Sequence, residues 1–362
     1  MHVAAENTLV LHGPLSCVLI EGRASCLGGR VEVGSTLTVR RFRTLPLHCL
    51  CDGEVEVYLG FEAFLEKVEG STIPSGWIHA SDVVTSVAMT KPTAAVVVGG
   101  VDVGKTSLTT YLVNAAISAG LRVGVIDGDV GQSDVGPPTT VGSLLPKRPI
   151  FDLSSELPND VHFVGVTSPA KAKTRLITTL ASASTVMRSK ANITVINTDG
   201  WIDGEEAEDY KLQLVKATNA DAVVVLQRSD ELNKLTTALA SAGILTLAAG
   251  CSSMVRERSR EERKALREQA YAKCLKDSRL RILSLRHVNI RGRPSWDKGR
   301  IVALFDSGGG FLQIAVVEDA NVDKQLLRLR TSTQADVAQI ECSEVALHDG
   351  RESINHLEET RT

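Results

Sequence analysis

No two cysteines in this 362-residue chain stand in C-x-x-C spacing; the seven present, Cys17, Cys26, Cys49, Cys51, Cys251, Cys274 and Cys342, are odd in number and scattered. Neither a disulfide framework nor a thiolate zinc site is suggested, and a reducing compartment is expected. No apolar run approaches the length that spans a bilayer, and the N-terminus lacks the charged-then-apolar pattern of a signal segment. A soluble, intracellular, cytoplasmic protein with no membrane partner is expected. Strong charge bias is also missing. A formal charge of −3 argues against an all-over nucleic-acid coat but leaves room for a local basic patch. No repeat recurs at a fixed period. At 43% hydrophobic residues, the chain is long enough to bury a sizeable core in two or three domains.

What is present falls into segments. Residues 1–85 carry short β-type runs, such as Cys17-Val18-Leu19-Ile20 and Val55-Glu56-Val57-Tyr58, broken by Gly and Pro. They predict a small β domain. Residues 86–281 predict a central domain in which strands alternate with helices from Ala94 to about Gly250, before a charged, helix-favouring stretch at Arg256–Lys276: Ala94–Val98, Val123–Ile126, Val161–Val166, Ile193–Asn197, Ala222–Leu226 and Ile244–Leu247 are the expected strands. That alternation predicts an α/β fold, a parallel sheet with helices on both faces. Residues 282–350 return to β-type runs and predict a small third domain. The polar stretch 351–362 predicts a frayed tail.

The strand Ala94–Val98 runs into Gly99-Gly100-Val101-Asp102-Val103-Gly104-Lys105-Thr106, a complete G-x-x-x-x-G-K-T loop, followed by Ser107 and a helical pattern at Leu108, Leu112, Ala115, Ala116 and Ala119. The glycines let backbone N–H groups approach phosphate oxygens, Lys105 supplies a point charge, and Thr106 offers a hydroxyl to Mg²⁺ at the helix's positive end. ATP with Mg²⁺ is the expected cofactor.

The next strand ends in Asp127-Gly128-Asp129-Val130-Gly131-Gln132. Ligands of open α/β sheets bind at that edge, where Asp127 can serve a metal and Asp129 can accept a proton from an attacking hydroxyl. An Asp in such a place can equally cap a turn. The strand Ile193–Asn197 leads to Thr198-Asp199-Gly200-Trp201, which offers either a packed indole or a flat face for a nucleobase. Between Val255 and Arg267, Arg258, Arg263 and Arg267 recur among glutamates, as an ion-paired solvated helix or as a lid over phosphates. Thr167-Ser168-Pro169 is a turn whose hydroxyls can meet substrate phosphate. Pro74 and Trp77 are either part of a base pocket or a packed domain junction.

Together these pieces resemble the polyribonucleotide 5′-hydroxyl kinase family: archaeal RNA kinases, the kinase-like subunit of eukaryotic mRNA cleavage factor, and nucleolar pre-rRNA kinases. The resemblance implies an N-terminal β-sandwich-like domain, a central P-loop kinase domain and a small C-terminal domain. It further implies transfer of the ATP γ-phosphoryl to the 5′-hydroxyl of an RNA end, with DNA a further candidate, and RNA-processing proteins as partners. By the same resemblance Lys105 and Thr106 hold triphosphate and Mg²⁺, Asp129 orients or deprotonates the hydroxyl with Asp127 near the metal, and Gln132 positions water or metal. Trp201 stacks a terminal base, Thr167 and Ser168 form a clasp, and Arg258, Arg263 and Arg267 belong to the lid.

Two other classes remain open. A regulatory P-loop NTPase is disfavoured because Asn233-Lys234-Leu235-Thr236 lacks the Asp of a guanine-reading N-K-x-D, and the loop lacks the early lysine typical of partitioning ATPases. A non-catalytic ATP-holding assembly subunit is the other, set against the presence of Lys105 and Asp129.

Overall fold

The computed structural model describes residues 1–354; residues 355–362, most of the expected tail, lie outside the described residues. Two compact units share the chain. The first comprises Met1–Ile126, Leu144–Glu156 and Leu180–Arg258, the second Asp127–Ser143, Leu157–Thr179 and the chain from Ser259 onward.

In the first unit, alternating apolar residues bury one face of short strands, as Leu15, Cys17 and Leu19 do in Leu15–Glu21. Two antiparallel sheets result. One orders His2–Val3, Gly53–Leu59, Leu15–Glu21 and Thr36–Val39; the other orders Gly29–Val31, Ala24–Cys26, Thr44–Cys49, Asn7–His12 and Phe64–Glu69. The expected boundary at residue 85 falls inside a helix, Ser75–Ala88, that a reading of short β runs does not anticipate. Trp77, Ala80, Ser81, Val84 and Ala88 form its buried stripe at helical spacing.

Thr93–Gly99, Val123–Asp127, Ile193–Asn197 and Ala222–Leu226 are buried at every position, as in a sheet covered on both faces. Ile193–Asn197, Thr93–Gly99, Ala222–Leu226 and Leu245–Ala248 pair in parallel in that order, with Val123–Asp127 beside Ile193–Asn197. The first strand in sequence is therefore central, with later strands added on either side of it. That reversal opens a crevice at the carboxyl ends of the strands.

One expected parallel strand is a correction. In the second unit the strand is Asp160–Phe163, and it pairs antiparallel with Thr140–Leu144, which the sequence reading leaves out. Between them lies only a 3₁₀ turn, Leu153–Ser155, and without a crossover helix the pair runs antiparallel. The unit also holds an antiparallel-rich sheet ordered Arg279–Ser284, Leu326–Thr331, Phe311–Asn321, Arg300–Phe305, Gln339–His348 and Asn289–Arg291. Helix Arg260–Cys274 packs on it through Tyr271, which joins Ile301, Ile314, Val345 and Leu347. The frayed tail expected from Arg351 instead begins as a strand, Arg351–Ile354, paired with Gln339–His348. Among the described residues no helix is long and apolar enough to cross a membrane, and the seven cysteines are free.

Candidate active site

Gly99 ends the central strand and Lys105 begins helix Lys105–Ser118, whose cap, Gly104, sits in the left-handed region at φ 97°. No side chain caps this helix and no acidic residue lies in its first turn, so its positive end suits a polyphosphate. Lys105 is buried and its ammonium donates to the Gly100 carbonyl at 2.5 Å, folding the side chain back along the loop. Thr106 and Ser107 follow in the first helical turn, and Val103 is buried inside the loop while Val101 is exposed. These residues fit a nucleotide. Among the described residues no group of three or more His, Cys, Asp or Glu could hold a metal.

Asp102 has an unusual backbone for a non-glycine residue, φ 52°. Its carboxylate accepts the Arg258 backbone N–H at 2.9 Å and the Arg258 guanidinium at 3.1 Å, while Arg258 Nε donates to the Phe42 carbonyl at 3.2 Å. Arg228 donates to the Asp102 carbonyl and pairs with Glu257. Arg258, expected in the lid, is thus strapped to the phosphate loop in this conformation. Trp77 is buried, with its indole N–H donating to Gly250, so it is a packed junction and not an open base pocket. Pro74 stands at the N-cap position of the same helix, with no side-chain capping bond.

The Trp201 turn stands beside the phosphate loop. Asn197 lies in register with Val97, and the Thr198 hydroxyl donates to the Val97 carbonyl at 2.8 Å. Gly200 lies so close to the loop that a Cβ there would stand 2.9 Å from the Val101 backbone nitrogen. Trp201 is half-buried with its ring on Tyr210, centroids 5.6 Å apart at 28°. Below it Asp199 accepts from the Trp201 N–H, the Tyr210 hydroxyl and the Lys211 ammonium.

The carboxylate loop belongs to the second unit. Asp127 is fully buried, with Oδ1 accepting the Asp129 N–H at 3.2 Å and Oδ2 accepting those of Asp134 at 2.6 Å and Val135 at 3.1 Å. Expected on the metal, it first of all shapes the loop that carries Asp129: a carboxylate has about four lone-pair sites, and these N–H groups take three. Asp129 Oδ1 accepts from Gly131 and Gln132, which fixes its orientation. The Gln132 amide donates to the Gly131 carbonyl and, at 3.2 Å, to the Arg263 carbonyl, tying this loop to helix Arg260–Cys274. A Cβ on Gly131 would stand 2.8 Å from the Thr167 carbonyl, so the clasp turn and the carboxylate loop touch backbone to backbone. The clasp rests on Glu344, a buried carboxylate that accepts from the Thr167 N–H and hydroxyl and from Lys171 at 2.6 Å. Ser168 precedes the 3₁₀ turn Pro169–Lys171 without capping it through its side chain. Arg267 is held by Glu352, Nε at 2.8 Å from both oxygens and Nη2 at 2.6 Å from one.

The structure thus gathers residues 99–107, Arg258 and Trp201 in one unit, and Asp127, Asp129, Gln132, Thr167, Ser168, Arg263 and Arg267 in the other. Sequence reading missed Tyr210, Lys211, Glu344 and Glu352. Only the Tyr-Lys pair carried a local signal, lying on a helix just after the Trp201 turn.

A family model described as mRNA cleavage and polyadenylation factor CLP1 P-loop matches residues 99–276. The polyribonucleotide 5′-hydroxyl-kinase of Thermococcus kodakarensis is 36% identical over 204 residues, 56% of this chain and 57% of that protein. That of Pyrococcus horikoshii is 29% identical over 220 residues, 61% of this chain and 59% of the relative. The matched stretch therefore spans little more than half the length of these curated relatives. A CLP1 homolog of Aedes aegypti is 32% identical over 48% of this chain and 43% of its own. Among solved structures, the Clp1p–Pcf11p complex superposes with a TM-score of 0.76 over 96% of this chain and 97% of that one, at 12% identity, which establishes a common fold. Residues 99–276, which carry the phosphate loop, the carboxylate loop and the Trp201 turn, are the stretch that matches the P-loop model of the mRNA cleavage and polyadenylation factor CLP1 family.

Proposed function

We propose that this chain is an ATP- and Mg²⁺-dependent kinase of polynucleotide 5′-hydroxyl ends, with RNA as substrate and DNA as a further one to be tested. One observation carries the reading: the Trp201 turn lies in register beside the phosphate loop, with Gly200 against Val101. A hydrolytic switch has no use for an indole there, whereas a polynucleotide end offers a base to stack on it. The relatives named polyribonucleotide 5′-hydroxyl-kinase support the same reaction.

Lys105 and the N–H groups of the loop would hold the ATP phosphates, and the Thr106 hydroxyl would join phosphate and water oxygens around Mg²⁺. When bound, the metal supplies charge neutralisation on the transferring group. Asp129, held in one orientation by its turn, would take the proton of the 5′-hydroxyl, and Asp127 would serve through the loop it shapes. Thr167, Ser168 and Gln132 would position the substrate, and Arg263 would face phosphate charge. RNA-processing proteins would be its partners.

The test is transfer of labelled γ-phosphate from ATP to matched 5′-hydroxyl RNA and DNA, single- and double-stranded. Lys105→Ala and Asp129→Asn are each expected to lower transfer by about a hundredfold or more. No transfer by the wild-type chain to any of these ends would overturn the proposal.

A further inference from the structure

Directly under Trp201 lies a group of side chains that the proposed reaction does not itself use. Asp199, Tyr210 and Lys211 are 3%, 1% and 0% exposed. The Lys211 ammonium, with three N–H groups to give, donates to Asp199 Oδ1 at 2.9 Å, the Asp199 carbonyl at 2.8 Å and the Thr198 hydroxyl at 3.3 Å. Asp199 Oδ1 also takes the Trp201 backbone N–H at 3.0 Å, and Oδ2 takes the Tyr210 hydroxyl at 2.8 Å. The Tyr210 ring lies near-parallel to the Trp201 ring, and Lys211 Nζ stands 5.2 Å from the Tyr210 centroid.

One carboxylate therefore holds Trp201 twice, through its backbone and through the ring it rests on. A helix anchored to its sheet needs no such arrangement around the indole. Gly200, in the same turn, abuts Val101, so the held indole keeps a set distance from the phosphate loop. Tyr210 takes one face of the indole, and a stacked base takes the other.

We propose that Asp199, Tyr210 and Lys211 form a bracket of positioning residues that holds Trp201 as a platform for the first base of the polynucleotide. The bracket makes the chain select ends that carry a terminal base, of any identity, over ends where that base is missing. This rests on the kinase reading for its substrate, and its chemistry is general: every base has a π-face, so stacking rewards presence and not sequence. A carboxylate that reads no base edge adds no sequence preference.

The experiment uses the full chain and 3′-labelled oligoribonucleotides with a 5′-hydroxyl, carrying each of the four bases or an abasic ribose at the first position. Binding is measured by fluorescence anisotropy with Mg²⁺ and a non-hydrolysable ATP analogue, and phosphate transfer is measured separately with ATP. The wild-type chain is expected to bind the abasic end about tenfold more weakly than any of the four normal ends. Tyr210→Leu is expected to erase that difference and Tyr210→Phe, which keeps the ring but loses its anchor, to shrink it; affinity for the ATP analogue stays as in the wild type. A wild-type chain indifferent to the missing base, or a Tyr210→Leu variant that keeps the full difference, overturns the bracket. If base-dependent binding disappears with Tyr210→Leu yet no RNA receives phosphate, the kinase reading falls and the bracket stands.

Discussion

Replacing Arg267 by methionine separates two roles that its position in the sequence leaves entangled. Its guanidinium makes contacts of 2.8, 2.8 and 2.6 Å to Glu352, whose side chain is only 2% exposed and whose backbone N–H donates to Glu268 at 2.8 Å. Removing the cation strands a buried carboxylate, which costs about 3–5 kcal/mol. The double variant Arg267→Met with Glu352→Leu removes both charges and is expected to return to wild-type stability or exceed it, because an apolar pair escapes the desolvation cost. Hydrogen exchange of Arg300–Phe305 and Gln339–His348 reads this locally: the single variant should exchange about a hundredfold to a few thousandfold faster, and the double variant at the wild-type rate. If Arg267 is a brace, the double variant also recovers phosphate transfer. Transfer still lost in a double variant of wild-type stability would place Arg267 on the phosphates. A single variant that exchanges like the wild type would refute the buried-pair reasoning.

Gly131→Ala should push the clasp turn from the carboxylate loop, since the new methyl would meet the Thr167 carbonyl at 2.8 Å; transfer should fall about tenfold or more with ATP affinity unchanged, and unaltered transfer would show that the contact is slack. Asp221 offers a pH test. Burial pushes its carboxyl up, but the Lys91 ammonium, the Ala94 N–H and the Arg188 guanidinium outweigh that and hold it below its ordinary 3.8. A carboxyl lowered by folding contributes stability that is present above the unfolded value and lost as pH falls through the folded one. Asp221→Asn should therefore lower stability at pH 7 by about 1–2 kcal/mol, the difference shrinking below pH 4 in urea unfolding; a difference that persists undiminished in acid would refute the ionic origin.

The loops of the candidate site were legible because each is contiguous. A phosphate loop needs its glycines, Lys105 and Thr106 in one short run between a strand and a helix, and the same holds for Asp127 to Gln132 and for Thr198 to Trp201. Their supports were not legible. Glu344 meets Thr167 across 177 positions and Glu352 meets Arg267 across 85, and nothing in the polar run Arg351–Ile354 marks it as a strand until a buried partner is known. Helix Ser75–Ala88 carries an apolar spacing at Trp77, Ala80, Val84 and Ala88, but Gly76 and three serines weaken its propensity and hid it.

The three arginines show where spacing misleads. Read as one helix, Arg258, Arg263 and Arg267 look like a single lid, yet Ser259 is the N-cap: its hydroxyl accepts the Glu262 N–H, and Glu262 reaches back to the Ser259 N–H. That S-x-x-E box was in the sequence all along and starts the helix at Arg260. Arg258 therefore lies before the helix, where both its backbone N–H and its guanidinium reach Asp102. Arg267 lies well inside the helix, on the side that meets Glu352, while the Arg263 carbonyl receives Gln132. A helix cap between equivalent-looking residues breaks the periodicity that made them look equivalent, so each arginine has its own anchor and must be judged by it.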